Sequence, residues 1–291
     1  MSSTRRVAIL GGVRIPFCRN NTAYFDVGNL GLSTVVLGGL VEKFQLQGQI
    51  LGEVAMGAVL KHSSDFNLAR EATLSSGLSP HTPGITITRA CGTGLDALIT
   101  VANKIAVGQI EAGIGGGSDT TSDVPIAVSK KMRRRLLDLN RARTLGERIK
   151  AALKGFSFGE FKPEFPGVAE PRTGKSMGES CEDMAKTWGI AREDQDRLAY
   201  ESHQKAAAAY ARGFFSDLVM PFRGLERDNI LRPDTSLEKL ATLKPAFDKR
   251  SGKGTLTAGN STNLSDGASA ALLSSEDWAK ANGKEIQAYL A

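Results

Sequence analysis

The feature that most constrains this chain is the junction Ile85-Thr-Ile-Thr-Arg-Ala-Cys-Gly-Thr-Gly94. A strand-like segment ends, Cys91 follows at once, two glycines open the backbone, and an amphipathic pattern begins. Leu95, Leu98, Ile99, Ala102, Ile105 and Ala106 keep the i, i+3, i+4, i+7 spacing of a helix over Thr93 to Val107, and Gly108 ends it. The same turn aims a thiol at the start of that helix. Unpaired N–H groups and the helix dipole favour the thiolate at such a place, and the thiolate is the nucleophilic form. Cys91 is therefore where covalent chemistry is expected.

The flanking segments continue the alternation. Val7–Leu10 reads as a strand ending in Gly11-Gly12, Leu30–Phe44 as a helix, and Glu53–Leu60 as a strand with Gly57 inside it. Phe66–Ser76 reads as a helix stopped by Gly77 and Pro80, and Ala112–Gly116 as a strand closed by Gly117-Ser-Asp-Thr-Thr-Ser122. This β-α-β order predicts an α/β layered fold. From Ser129 to about Leu240 the texture turns helical and polar, with Pro163, Pro166 and Pro171 in a linker-like stretch. Ser176-Met-Gly-Glu179 is a capping box, with Gly189 as the expected end of its helix, and Glu193–Arg212 is an alanine-rich helix closed by Gly213. Strand character returns at Gly254–Asn260, Asn263–Gly267 reads as a loop, Ala268–Ser274 suits a buried strand or helix, and Glu276 to Gly283 starts another helix. The expected organisation is an amino-terminal α/β half over 1–122, a helical insertion over 123–246, and a return to the same half over 247–275.

Composition excludes several classes. At 291 residues, 41% hydrophobic and 23% charged, the chain can bury a large core and is neither fibrous nor disordered. No run of about 18 apolar residues is present, so no transmembrane helix is expected. The apolar run after Met1-Ser-Ser-Thr-Arg-Arg6 is too short for a signal peptide and reads as a first strand. The cysteines, Cys18, Cys91 and Cys181, are odd in number and widely spaced, which fits neither a zinc pattern nor a disulfide scaffold. Cys18 and Cys181 read as buried, inert thiols. Reduced thiols predict a cytoplasmic or organelle-matrix compartment, and the cytoplasm is the expectation. The three histidines, His62, His81 and His203, lack metal-ligand spacing, so no metal is expected, and His203 on the alanine-rich helix reads as solvated.

Charge is uneven. Lys130 to Lys154 holds ten Lys/Arg and two acids, a local +8 that leaves −2 for the rest of a chain of net charge +6. A basic character confined to one segment argues against nucleic-acid binding. Met132, Leu136, Leu137, Leu139, Leu145, Ile149 and Leu153 make this segment an amphipathic helix pair. It reads as a solvated face, as a peripheral membrane contact through 130–154, as a clasp for an acidic partner, or as a contact for ligand phosphates. Gly92-Thr-Gly94-Leu-Asp-Ala97 matches the dinucleotide pattern on paper, with Asp119 in place for a ribose. A cysteine directly before the first glycine would crowd a phosphate there, and Gly115-Gly-Gly117 lacks the Gly-Lys-Ser/Thr of a P-loop.

The chain resembles the thiolases, acyl-CoA acyltransferases of the Claisen type. The likeness rests on Arg14-Ile-Pro-Phe17, Thr88-Arg-Ala-Cys-Gly-Thr-Gly94, Gly115-Gly-Gly-Ser-Asp119, Ser176-Met-Gly178, Leu243-Lys-Pro-Ala-Phe-Asp248, and Thr257-Ala-Gly-Asn-Ser-Thr262 followed by Asp266-Gly-Ala268. Ser122–Lys131 and the basic segment after it look most like the β subunits of trifunctional-type fatty-acid oxidation complexes. The resemblance implies a layered α-β-α half with a mostly helical loop domain. It implies thiolytic cleavage of 3-ketoacyl-CoA, or the reverse condensation, with coenzyme A as substrate and no cofactor. Cys91 matches the acyl-accepting nucleophile, whose own N–H donates to an oxyanion hole. Met177 matches a residue lining the acyl pocket, Arg232 an arginine that contacts coenzyme A phosphate, and Phe247, Ala258 and Thr262 positions along the pantetheine channel. Asn260 and Asn263 look structural. Expected partners are acyl-CoA and coenzyme A, a second copy in a homodimer or homotetramer, and a hydratase/dehydrogenase α subunit.

The family's Gly-His-Pro histidine, its second, acid/base cysteine and the asparagine of its Asn/His-Glu-Ala-Phe motif are not in this sequence. The expectation is an amino-terminal half plus loop domain, with 276–291 the start of a missing carboxy-terminal half, inactive alone. Three other functions compete. A ketoacyl synthase also uses a nucleophilic cysteine, but the helical insertion with Ser176-Met-Gly178 speaks against it. The others are a non-catalytic membrane- or partner-docking half and a nucleotide-dependent oxidoreductase.

Overall fold

The computed structural model describes residues 4–290; Met1–Ser3 and Ala291, the outer ends of the first and last expected segments, lie outside the described residues. Strand β1 (Val7–Arg14) and the short β2 (Cys18–Arg19) lead to helix α1 (Asn29–Phe44), β3 (Glu53–Gly57), α2 (Leu68–Leu74), β4 (Gly84–Ile87), α3 (Thr93–Ala106) and β5 (Ala112–Asp119). A helical stretch follows: the two-residue β6 (Ala127–Val128), α4 (Lys130–Arg141), α5 (Leu145–Leu153), β7 (Pro163–Glu164), α6 (Met177–Thr187), α7 (Arg192–Ala211) and α8 (Leu237–Ala241). The chain then returns through β8 (Ser265–Ser275), α9 (Glu276–Ala281) and β9 (Ala288–Leu290).

The main sheet runs β4-β3-β5-β8-β1-β9, with β2 attached to β8. β3 pairs parallel with β4 and β5, whereas β8 pairs antiparallel with β5 on one side and β1 on the other. Parallel neighbours need crossover helices, and these cover both faces. Side chains alternate accordingly: Val54 and Met56 point into the core shared with α1 and α2, and Ala55 into the core under α3. Leu272 and Leu273 on β8 split in the same way. Val101 and Ile105 of α3 are fully buried, each contributing about 1.5–3 kcal/mol.

The glycines in β5 set how closely α3 approaches. A Cβ on Gly115 would lie 2.7 Å from the Leu98 Cα and 2.8 Å from its N, so the helix backbone rests directly on the strand. The Gly115-Gly-Gly117 run thus serves packing.

Several boundaries differ from expectation. β1 continues through Gly11-Gly12 to Arg14, because a register shift between Ile9 and Gly11 absorbs the irregularity and Gly11 takes φ +134°. β3 stops at Gly57 instead of Leu60, and β5 runs on to Asp119. The strand expected over Gly254–Asn260 is a turn. Among the described residues its one bridge is Pro245 to Thr257, and side chains take over its backbone bonds: Asn260 Oδ1 accepts the Thr257 N–H at 2.7 Å, and Thr257 Oγ1 accepts from Gly259 and Asn260. The capping box at Ser176 and Glu179 forms in both directions, and Gly189 and Gly213 take positive φ just past their helices.

Helices α4 and α5 bury no residue. Arg135 holds the pair together: it donates to both oxygens of the buried Glu160 at 2.8 and 2.9 Å and to the carbonyls of Ala151 and Ala152 at the end of α5. Among the described residues, no helix is long and apolar enough to cross a membrane.

Candidate active site

Cys91 sits on a tight elbow between β4 and α3. Ala90 before it has φ +43°, a left-handed conformation that costs a non-glycine residue about 1–3 kcal/mol. Buried Thr93 holds the elbow: its N–H and hydroxyl both donate to the Ala90 carbonyl, at 3.1 and 2.7 Å, and its Oγ1 accepts the Arg89 N–H at 2.8 Å. The Arg89 guanidinium pairs with Asp96 at 2.9 Å across the first turn. The helix start has Gly92 as its N-cap and no side-chain cap; the Thr93 N–H is taken by Ala90, and the Gly94 and Leu95 N–H groups of the first turn stay available. Cys91 is exposed.

The thiol borders a cavity of about 230 Å³ between the ends of β3, β5 and β8. Its walls are mostly glycine, alanine, serine and threonine, with Phe17 and Asp119 the larger side chains. Asp119 accepts the N–H groups of Val59 and Leu60 at 3.0 Å. Burial raises its carboxyl above the usual range, and those two N–H groups and Lys61 work against the rise. Asp119 thus fastens the segment after β3 and forms part of the cavity wall. Asp266 on β8 is fully buried and accepts the Thr121 N–H at 2.7 Å and the Ser122 N–H at 3.2 Å, which ties β8 to the loop after β5.

A second, larger cavity of about 630 Å³ lies among α6, α7, the segment 228–232 and the turn before β8. Arg232 and Thr262 line it, together with Cys181, His203 and Asn260. The Arg232 Nε and the Ser261 hydroxyl are buried there without a partner. His203, expected in solvent, is partly buried; its Nδ1 accepts the Arg232 N–H at 3.3 Å. Burial, then the Arg232 charge, holds its imidazole below the ordinary value. Cys181, expected to be buried, is half-buried and opens onto this cavity, whereas Cys18 is buried as expected.

The remaining candidates stand nearby. Met177 opens α6 and is exposed. The Phe247 ring packs against the next residue, where a Cβ on Gly178 would come within 2.0 Å of it. Asp248 pairs with Lys186 and accepts from Ser251, which holds its carboxyl well below the usual range. Ala258 is exposed on the turn fixed by Asn260, which also donates to Asp196 at 2.9 Å. Buried Glu182 of α6 accepts both the Thr255 and the Leu256 N–H at 2.9 Å and so fastens that turn to the helix. The six candidates are therefore not in one pocket: Cys91 lines the first cavity, Arg232 and Thr262 the second, and Met177, Phe247 and Ala258 lie outside both linings. Sequence reasoning overlooked the serines of β5 and β8 around the thiol and the role of Phe17. Only the convergence of distant strand ends brings them together.

Known proteins share this architecture. The family described as "Thiolase, N-terminal domain" matches residues 7–277. A 3-ketoacyl-CoA thiolase of Pectobacterium carotovorum subsp. carotovorum (strain PC1) is 43% identical over 98% of this chain, and one of Escherichia coli O1:K1 / APEC is 40% identical over the same share. The chain spans 66% of the length of each of these relatives. Among solved structures, human mitochondrial 3-ketoacyl-CoA thiolase in complex with CoA matches 98% of this chain and 68% of its own, with a TM-score of 0.81 at 28% identity. The acetyl-CoA acetyltransferase of Bacillus anthracis gives the same TM-score and identity over 98% and 69%. With the family match extending over residues 7–277, nearly the whole chain, the chain belongs to the thiolase family through its amino-terminal domain.

Proposed function

We propose that this chain carries the nucleophilic part of a thiolase that cleaves 3-ketoacyl-CoA. The observation that supports it most is the place of Cys91: exposed, on a strained elbow, at an uncapped helix start, and at the edge of a cavity. In the forward direction the Cys91 thiolate attacks the C3 ketone. The C2–C3 bond breaks, its electron pair leaves as the enolate of acetyl-CoA, and a proton completes that product. The acyl group stays on sulfur as a thioester. A coenzyme A thiolate then attacks the acyl carbon and Cys91 leaves as thiolate. The Cys91 N–H would donate to the oxygen that becomes negative. Arg232 would hold coenzyme A phosphate, and Met177, Phe247, Ala258 and Thr262 would line the acyl and pantetheine path. The same reading assigns 1–122 with 247–275 to an α/β half, 123–246 to a loop domain and 276–291 to the start of a further half. Its setting would be the cytoplasm, in a homodimer or homotetramer, with a hydratase/dehydrogenase α subunit as a further partner.

Proton transfer is the step these residues leave unserved. Among the described residues, no histidine and no second cysteine lines the Cys91 cavity. Losing such a group costs about 10²–10⁴-fold, so the purified chain should turn over acetoacetyl-CoA negligibly. Iodoacetamide should still modify Cys91, as read by peptide mass spectrometry, and the Cys91→Ser chain should lose that adduct. An unmodified Cys91, or turnover that survives Cys91→Ser, would overturn the reading.

One observation favours a second role for the α4–α5 pair. Neither helix buries a residue, Leu136, Leu137, Leu145, Ile149 and Leu153 are exposed, and Lys130, Lys131, Arg134 and Lys154 border a groove between the helices. That combination suits an anionic lipid surface. Flotation with phosphatidylglycerol vesicles should exceed flotation with phosphatidylcholine, and Lys131→Glu with Arg134→Glu should abolish the difference. Unchanged flotation removes this role. Arg135 is a poor target because Glu160 already holds it.

A further inference from the structure

Phe17 is the one large apolar side chain on a cavity otherwise lined by small residues and Asp119. It is 38% exposed. The space left in front of the thiol is therefore set by where this ring stands. Two features place it. The ring packs on Gly267 of β8, where a Cβ would approach within 2.7 Å of the ring edge. Its backbone is clamped on both sides by two adjacent residues of a distant segment. The Phe17 N–H donates to Asp228 Oδ1 at 2.7 Å, and the Asn229 N–H donates to the Phe17 carbonyl at 3.2 Å.

Asp228 does not act alone. Its two oxygens accept a fork from Arg14, at 2.7 and 3.0 Å, and both side chains are largely buried. The Arg14 guanidinium lies over the Phe17 ring at 4.7 Å, and the Tyr210 hydroxyl accepts from both the Arg14 guanidinium and the Asp228 N–H. One ion pair thus fixes the backbone of Phe17 and one face of its ring. Asp228 also borders the second cavity, in the same segment as Arg232.

We propose that Phe17 is the specificity-determining wall of the Cys91 cavity, setting the bulk of the group that fits beside the thiol, and that Asp228, with Arg14, is its positioning residue. This rests on Cys91 being the acyl acceptor. A larger wall excludes branched or aromatic groups next to the reacting carbon, and a displaced ring admits them.

The test compares two reagents of the same chemistry and different bulk, N-methylmaleimide and N-phenylmaleimide, on the purified chain. Rates at Cys91 are read by peptide mass spectrometry, with Cys181 as the internal reference. Phe17→Ala should raise the phenyl-to-methyl rate ratio about tenfold, the order by which pocket size discriminates apolar groups, and Phe17→Leu should fall between. Gly267→Ala, which moves the ring without removing it, should also change the ratio. Asp228→Asn should shift it in the direction of Phe17→Ala and by less. A ratio that stays at the wild-type value in Phe17→Ala and Phe17→Leu overturns the wall. If only Asp228→Asn leaves the ratio unchanged, or if it exposes the buried Cys18 to reagent, the positioning claim falls while the wall stands. A Cys91 that reacts with neither reagent removes the acyl-acceptor reading and the wall with it, an outcome distinct from an unchanged ratio.

Discussion

The two cavities of this chain are built from opposite materials. Around Cys91 the walls are strand ends, glycines and short hydroxyl side chains, and the thiol is aimed by a backbone conformation that Thr93 enforces. Around Arg232 the walls include helix side chains such as Met184, Leu198 and Ala206, with two buried polar atoms left unpartnered. The first arrangement suits bond making, where a small misplacement of the reacting atom is costly. The second suits holding a long ligand, since apolar side chains adapt and unpartnered donors wait for an acceptor. Nucleophile and binding surface are thus entrusted to different parts of the fold, one pinned by main chain and one by side-chain contacts.

That contrast can be broken by mutation. The largest effect is expected for Gly115→Ala. The added methyl would meet the backbone of Leu98, which cannot rotate away, and α3 carries the Cys91 elbow at its start. Stability should fall by about 3 kcal/mol, the upper part of the range for overpacking, in a chemical melt, and Cys91 alkylation should change with it. A wild-type melt would show that the strand side is as forgiving as the helical side. Next comes Glu182→Ala, which strips the acceptor from the Thr255 and Leu256 N–H groups. The cost should be about 2 kcal/mol for buried donors left unsatisfied. Cys181 on the second cavity should then alkylate faster while Cys91 keeps its rate; equal changes at both cysteines would mean the two regions are not independent.

The smallest expected effect is a pH dependence at His203. Its folded-state value is depressed by burial and by Arg232, below the 6.5 of a free imidazole. As pH falls below 6.5 the unfolded chain takes up a proton that the folded chain still refuses, so this group's stabilisation is present above that pH and is lost as pH falls. The melting temperature should drop between pH 7.5 and 5.5, and His203→Gln should reduce the drop. An identical drop in the variant would place the effect elsewhere.

How much was legible in the chain follows from the range of each interaction. The helix over Thr93–Ala106, the Ser176 capping box and the glycine stops past α6 and α7 depend on neighbours within four residues, and all could be read directly. The thiol at a strand–helix junction was equally local. The turn at Gly254–Asn260 misled because its composition suits a strand, while Asn260, Asp196 and Glu182, the last two more than sixty residues away, claim its hydrogen bonds. The position of His203 depended on a segment 29 residues away.

By itself the sequence determined the layered α/β class, the elbow that presents Cys91, and the charged character of α4 and α5, because periodicity, capping and composition act over a single turn or strand. Tertiary structure alone decided that Phe17, 74 positions before Cys91 in the numbering, shares a cavity with that thiol and is clamped by Asp228 from 211 residues away. Strand order and helix approach set such meetings, and they follow from which buried surfaces fit together, a property of the whole chain that no local pattern carries.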